Sequence, residues 1–436
     1  MKKIIKGINI AWNLENTDIV KYYYYWIDYC YENNIKLIRI ILTSLGCNAL
    51  NQKEDIKKLI EIIDYGNKNE IEVVLVVNNF VDFNNKTYCD SNNALYSWKS
   101  NIYCEKYGKN INFFKKLDNE YITSVIYLLD KIKKFKNIKK IELFNEIDQV
   151  QCNKKILKCW IISLKKALID KYKSRYEFFC SIADYNNYNR FNTDSNLKID
   201  IHLYSFPYES AFLNIEYLHL LDPQNKMLLG EFAKNSDSPY LSQLESKIYF
   251  CSGIWASFFY NYDNIPLHWW WEETRKNEEY KKIINIFESY SIMYDYPKNK
   301  IQKISNGVNY EIEDNNIENK INEYNKIKYR LINLIKHPFY LKSELQGIKK
   351  YIKKKTKKEE NCNVYKINKN DGDFYIEARK KVGLNMKKLY SYQSKYYIIN
   401  LLTGNIRGGN PKENVIELDK GCYLIMIKKE EKNSEI

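Results

Sequence analysis

Short apolar runs recur along the first two-thirds of the chain, and segments with helical spacing separate them. Ile4 to Ala11 reads as a first strand, with Gly7 and Asn9 near its end. Asp18 stands where it can cap a helix from Ile19 to Glu32. Lys36 to Leu42 is a second strand, Asn51 to Asn69 a helix with Ile56, Leu59, Ile60 and Ile63 on one face, and Ile71 to Val77 a third strand. A long polar loop, Asp82 to Phe113, carries Trp98 and several Tyr, a composition that suits a cleft wall. A helix from Asp118 to Phe135 leads to a fourth strand that runs through Ile141-Glu142-Leu143-Phe144 to Asn145-Glu146. Lys154 to Tyr172 is helical and Phe178 to Ala183 is a weaker fifth strand. The Asn-rich stretch Asp184 to Leu197 that follows shows no helix.

Ile199 to Tyr204 is a sixth strand of clean period two, and a short helix from Ile215 to Leu221 connects it to a seventh, Lys226 to Phe232. After a helix from Ser242 to Phe259, Ile265 to Trp271 is an eighth strand and Glu278 to Ser289 a last helix. Strands that alternate with helices in this way predict an α/β fold, a (β/α)8 TIM barrel, over residues 1–297. Beyond Pro297 the pattern changes. Residues 298–360 form a connecting segment whose Leu331, Leu334, Ile335, Leu345, Ile348, Tyr351 and Ile352 fall at amphipathic helical spacing. Phe374–Ile376, Tyr396–Leu402, the turn Thr403-Gly404-Asn405, Val415–Leu418 and Tyr423–Ile427 then predict a small C-terminal β-sandwich domain over 361–430.

The net charge of +15 alters this picture in one place only. Between Lys320 and Lys358 stand thirteen Lys or Arg against two Glu, so the barrel itself is only mildly basic. A solvated linker helix, a peripheral membrane contact through 320–358 and binding of an acidic polysaccharide all remain open for that segment. Nucleic acid is not expected, because no recognisable binding motif accompanies the charge. The basic start Met1-Lys2-Lys3 is followed by Ile4-Ile5 and then Lys6, so no secretory apolar segment is expected. No window of transmembrane length lacks charges. The ten cysteines form no CxxC pair and no metal-like spacing, which fits reduced thiols and a cytoplasmic protein without metal or cofactor. Cys89 and Cys104 share one loop and would be free to pair only if the protein were exported.

The chemistry lies at strand ends. Glu146 closes the fourth strand and Glu231 closes the seventh, so a barrel brings both to one rim. Glycoside cleavage needs a protonated carboxyl for the leaving oxygen and a carboxylate to attack or to activate water. A Glu leaving a dry core can hold its proton near neutral pH, which suits Glu146 as acid/base, with Asn145 placed for the neighbouring sugar hydroxyl; Glu231 suits the nucleophile. The plainer alternative is that each is a solvated strand-end residue.

With Arg39 on strand two, Leu-Phe-Asn-Glu at 143–146, His202-x-Tyr204, Gly-Glu-Phe at 230–232 and the strand-eight Trp, residues 4 to 295 resemble the clan-A retaining glycoside hydrolases, most of all the cellulase and endo-β-mannanase family. The resemblance implies a TIM barrel and a metal-independent double displacement on a β-linked oligo- or polysaccharide. It implies Glu146 as acid/base, Glu231 as nucleophile and carboxylates about 5 Å apart. Arg39 would hold the nucleophile ionised, Tyr204 would hydrogen-bond it and His202 would line the subsite. Arg39 also reads as a structural ion pair and His202 as a core histidine. Of the Trp triplet, Trp271 is favoured at the rim as a sugar platform with Trp269 deeper, and Asn78 or Asn79 is placed to reach substrate. A glycan-binding protein without turnover, and a transglycosidase, remain alternatives on the same barrel.

Overall fold

Six parallel strands lie side by side in chain order: β1 (Gly7–Ile10), β2 (Leu37–Ile41), β3 (Glu72–Val76), β4 (Ile138–Glu142), β5 (Glu177–Ile182) and β6 (Lys198–Ile201). The computed structural model describes residues 4–10, 18–42, 53–83, 112–184, 187–191, 198–204, 210–222, 227–234, 243–269, 271, 278–294, 302–303, 309–311, 362–367, 373–389, 396–409 and 415–427. The chain divides into two compact units, Met1–Lys298 and Asn299–Ile436.

In the first unit, helices Ile19–Glu32, Lys53–Lys68, Asn119–Ile132 and Lys154–Tyr172 connect successive strands. Parallel strands need such crossovers, and the helices bury the outer face of the sheet. Their starts are written in the sequence: Asp18 accepts from the amides of Val20 and Lys21, Asp118 from Glu120 and Tyr121, Asn153 from Lys155 and Ser210 from Leu213. A one-turn helix, Tyr188–Phe191, lies where no helix was expected.

The sheet curls and continues through shorter pieces. Leu203–Tyr204 pairs in parallel with Phe232–Ala233, His268 bridges both Phe232 and Ile8, and Asn264 bridges Ile5. The architecture is (β/α)8-like, with bridging segments where regular seventh and eighth strands were expected. Two causes are local. Gly230 gives its amide to Leu228 O and to the Asp200 carboxylate, 2.9 and 3.1 Å away. Pro266 has no amide to give, so one donor is missing from the eighth segment, where Ile265, Leu267 and Trp269 still bond Ile5, Leu229 and Phe232.

The fourth strand also stops early, at Glu142 and not at Glu146. The chain beyond it still tracks its neighbours, because Leu143 N bonds Phe179 O and Asn145 N bonds Asn78 O. Glu146 then turns into the left-handed region, with φ 50° and ψ 49°.

Inside the curl, Leu37, Val74, Phe179, Leu228 and Leu267 form an apolar layer with Ile5 packed against it. Side chains two residues apart share a face. By the same step Arg39 after Leu37 and Ser181 after Phe179 stand in the next layer up, with Val76 and Trp269 as its apolar members.

The second unit holds two antiparallel sheets. One orders 309–311, 382–385 and 415–418; the other orders 406–409, 396–400, 421–427, 374–378, 362–366 and 302–303. Val364, Phe374, Ile376, Ile398 and Ile425 of the larger sheet share one core with Val382, Leu384, Ile416 and Leu418 of the smaller. Gly404 takes φ 76° in the turn expected at 403–405. Residues 320–358, and with them the basic segment, lie outside the described residues, as do Cys89, Cys104 and Trp98. The seven described cysteines are all free. Among the described residues no helix is long and apolar enough to cross a membrane.

Candidate active site

Arg39 organises the polar members of this layer. It is fully buried in β2, where an unpaired guanidinium would be very unfavourable, and the layer satisfies it completely. Its Nε and Nη2 donate to Glu142 Oε2 and Oε1 at 2.8 and 3.0 Å, a bidentate pair. Nη1 donates to Glu231 Oε1 at 2.8 Å and Asn9 Oδ1 at 3.0 Å, and Nη2 also donates to Asn145 Oδ1 at 2.8 Å. Burial opposes the charge of Arg39, but the carboxylates of Glu142 and Glu231 outweigh it and hold its proton more tightly than usual.

Glu231 is held from several sides. Arg39 takes one oxygen; the Tyr204 hydroxyl donates to the other, Oε2, and His202 Nδ1 lies 3.1 Å from that same oxygen. The same His202 nitrogen lies 2.8 Å from Glu146 Oε1. One oxygen of each glutamate and a ring nitrogen of His202 all fall within 4.8 Å of one another.

The two acids ionise differently. Burial pushes Glu146 up to about 7; the bond from His202 works against this and the charge of Glu231 works with it. Burial would raise Glu231 too, but the charges of His202 and Arg39, with the bonds from His202 and Tyr204, bring it down to about 2. Burial disfavours charge on His202, yet Glu231 and Glu146 on either side raise it well above its ordinary value. At neutral pH this arrangement supplies one carboxylate and one carboxyl that exchanges its proton readily.

Asn145 is oriented by its neighbours. Its Oδ1 accepts from Arg39, and its Nδ2 donates to Asn79 Oδ1 at 3.2 Å. Asn78 has a structural place instead: its Nδ2 donates to the Tyr121 hydroxyl at 2.5 Å and to Leu143 O at 2.7 Å. The Trp expectation needs correcting. Trp271 is 2% exposed, with its ring against Tyr29 and Phe250 of the outer helices, so it offers no rim platform. Trp269, 6% exposed, stands two residues after Leu267 of the inner apolar layer. Trp270 lies outside the described residues.

Four residues of this layer went unread in the sequence. Glu142 is the partner a buried Arg39 demands, at the matching level of a strand two away. Ser181 donates to Glu142 Oε1 at 2.6 Å and accepts the amide of Glu146 at 2.9 Å. Asn9 ties β1 to the later segments by donating to Gly230 O at 2.6 Å and Leu267 O at 3.1 Å. Asp200 lies under His202, with Oδ2 4.0 Å from Nε2, and burial pushes it up to about 7. A Cβ on residue 230 would stand 2.3 Å from that oxygen, so only glycine fits there. The signal for Asp200 was present in the alternation Asp200-x-His202-x-Tyr204, which puts all three on one face.

The Glu146, His202 and Glu231 triad has the spacing of a metal site. The guanidinium of Arg39 beside Glu231 and the Tyr204 hydroxyl on its second oxygen suit a proton-handling site better than a divalent cation.

The chain has the fold of the clan-A glycoside hydrolases, of the family 5 type. A glycoside hydrolase family 5 structure from Bacteroides vulgatus aligns over 98% of this chain and 89% of its own, at 9% identity and a TM-score of 0.53. A second structure, described as a glycoside hydrolase, aligns over 98% and 92%, at 9% identity and a TM-score of 0.50. An endo-1,4-β-mannanase from Rhizomucor miehei aligns over 61% of this chain and 85% of its own, at 14% identity and a TM-score of 0.43. No family model matches the sequence. No curated protein matches it either.

Proposed function

We propose that this protein is a retaining β-glycoside hydrolase acting on a β-linked hexose oligo- or polysaccharide of glucan or mannan type, on a barrel of eight strand positions. The observation that carries this reading is the pair Glu146 and Glu231, within 4.8 Å, with opposite proton affinities. The likeness in fold to a family 5 glycoside hydrolase agrees with it.

In the first step Glu231 attacks the anomeric carbon, and the bond to the leaving oxygen breaks as Glu146 protonates that oxygen. In the second step Glu146, now a base, takes a proton from water, which displaces Glu231 and restores the starting configuration. Arg39 and Tyr204 keep Glu231 ionised and aimed. Asn145 presents its amide to the neighbouring hydroxyl, and Trp269 lines the sugar's apolar side. The accessory unit is a small β-sandwich in this reading, and the segment 320–358 a basic connector suited to a membrane surface.

The test is a panel of aryl β-glucosides and β-mannosides with soluble β-glucan and β-mannan. Wild type should turn over at least one, and Glu231→Gln should lose at least about 1,000-fold in kcat. Glycan binding that survives in Glu231→Gln, with no turnover by wild type, would make the protein a lectin-like binder. A product of inverted configuration would overturn the double displacement.

A further inference from the structure

We propose that Ser181 is the positioning residue for Glu146, acting through its backbone. The inference rests on the reading of Glu146 as the acid/base. A non-glycine residue in the left-handed region is strained, and at 146 this conformation starts the 147–149 turn. The strained position is pinned at two points. His202 Nδ1 meets the carboxylate at 2.8 Å, and the Glu146 amide donates to Ser181 Oγ at 2.9 Å. Ser181 is fully buried on the inner face of β5, so no water replaces its hydroxyl.

The same hydroxyl has one proton and two acceptors in reach, Glu142 Oε1 at 2.6 Å and Asn145 Oδ1 at 3.2 Å, and the nearer, charged carboxylate takes it. This fixes the direction of its lone pairs, one of which faces the amide. Glu142 is in turn gripped by both ends of the Arg39 fork, and Arg39 reaches Glu231. A continuous buried path therefore runs from the amide of the acid, through Ser181, Glu142 and Arg39, to the carboxylate of the nucleophile. Side-chain chemistry at Glu146 is kept in register with Glu231 through its main chain as well as through His202.

The experiment compares two aryl β-glycosides of one sugar, the 2,4-dinitrophenyl and the phenyl glycoside. A dinitrophenolate leaves without protonation, whereas a phenolate needs the acid. kcat/KM reports the first step alone, and the ratio of the two values does not depend on how much enzyme is folded. In Ser181→Ala the phenyl glycoside should lose about 100-fold in kcat/KM, with the dinitrophenyl glycoside within about 2-fold of wild type. Ser181→Thr, which keeps the hydroxyl, should hold the wild-type ratio.

An unchanged ratio in Ser181→Ala, or equal losses on both substrates, overturns the proposal. Glu146→Ala on the same pair tests the underlying reading separately, because it must change the ratio whatever Ser181 does. If wild type turns over neither glycoside and no other member of the panel above, that reading fails by itself. A crystal structure of Ser181→Ala then decides the clamp: a Glu146 carboxylate moved off His202 supports it, and an unmoved one sinks it.

Discussion

Glu146 and Glu231 share a histidine, and burial raises both, yet they end with opposite proton affinities because the charges of His202 and Arg39 outweigh burial at Glu231 alone. The consequence for stability has a sign for each. Glu146, raised to about 7, contributes stability that is full below about pH 4.5 and is lost as pH rises through 7. Glu231, lowered to about 2, contributes stability that is full above about pH 4.5 and is lost as pH falls towards 2. Each swing is about 3 kcal/mol, from the size of the shift. Urea midpoints of wild type and Glu146→Gln should therefore diverge between pH 5 and 8, with wild type declining and the variant flatter. Glu231→Gln should instead remove a decline below pH 4.5. Equal slopes in all three proteins would mean that neither acid is perturbed.

Both glutamates were legible as strand-end acids, and Arg39 was given by the resemblance as the electrostatic partner of Glu231. Glu142 was not, because it sits inside an apolar run where a Glu looks like an ordinary strand residue. Only the demand of a buried arginine for a buried acid marks it. The misplaced tryptophan has a different cause. Alternation along a strand puts Trp269 and Trp271 on one side, but the chain leaves strand geometry after His268, and the rule lapses there.

At the scale of elements, the reading from periodicity was most faithful where helices and strands were regular. Asp18, Asp118, Asn153 and Ser210 cap the helices they precede. The departures fall at the seventh and eighth segments, where side chains of Asn9 and Asp200 take up backbone groups that a ladder would use. Hydrogen exchange should show this division. Amides of β2, in unbroken register with β1 and β3, should exchange slowest, and those of 228–233 and 265–269 at least about 10-fold faster. Asn9→Ala should speed exchange in the second group and leave β3 unchanged; uniform acceleration across the barrel would contradict the assignment.

The whole molecule is two packed units with separate apolar cores. A chain of this kind is not expected to unfold in one step. Differential scanning calorimetry should give a van't Hoff enthalpy well below the calorimetric one, and Glu146→Gln should move one component of the trace and not the other. A single two-state transition would mean that the two cores melt as one. The sequence changes pattern near Pro297, but the strands 302–303 and 309–311, which pair in the sheets of the second unit, fall in the stretch expected only to connect. The sheet order of the second unit was not visible in the sequence, because 362–366, 382–385 and 406–409 are short strands with weak alternation.

The short bridges through Phe232 and His268 give the curled sheet a join that its own main chain fastens lightly. A sugar ring held between Glu146 on one flank and Glu231 on the other would act as a clasp across that join. Occupancy would then quiet the breathing of one side of the ring while the opposite wall stayed as it was. The tightness of an inhibitor would be written in the motion of the seam it closes.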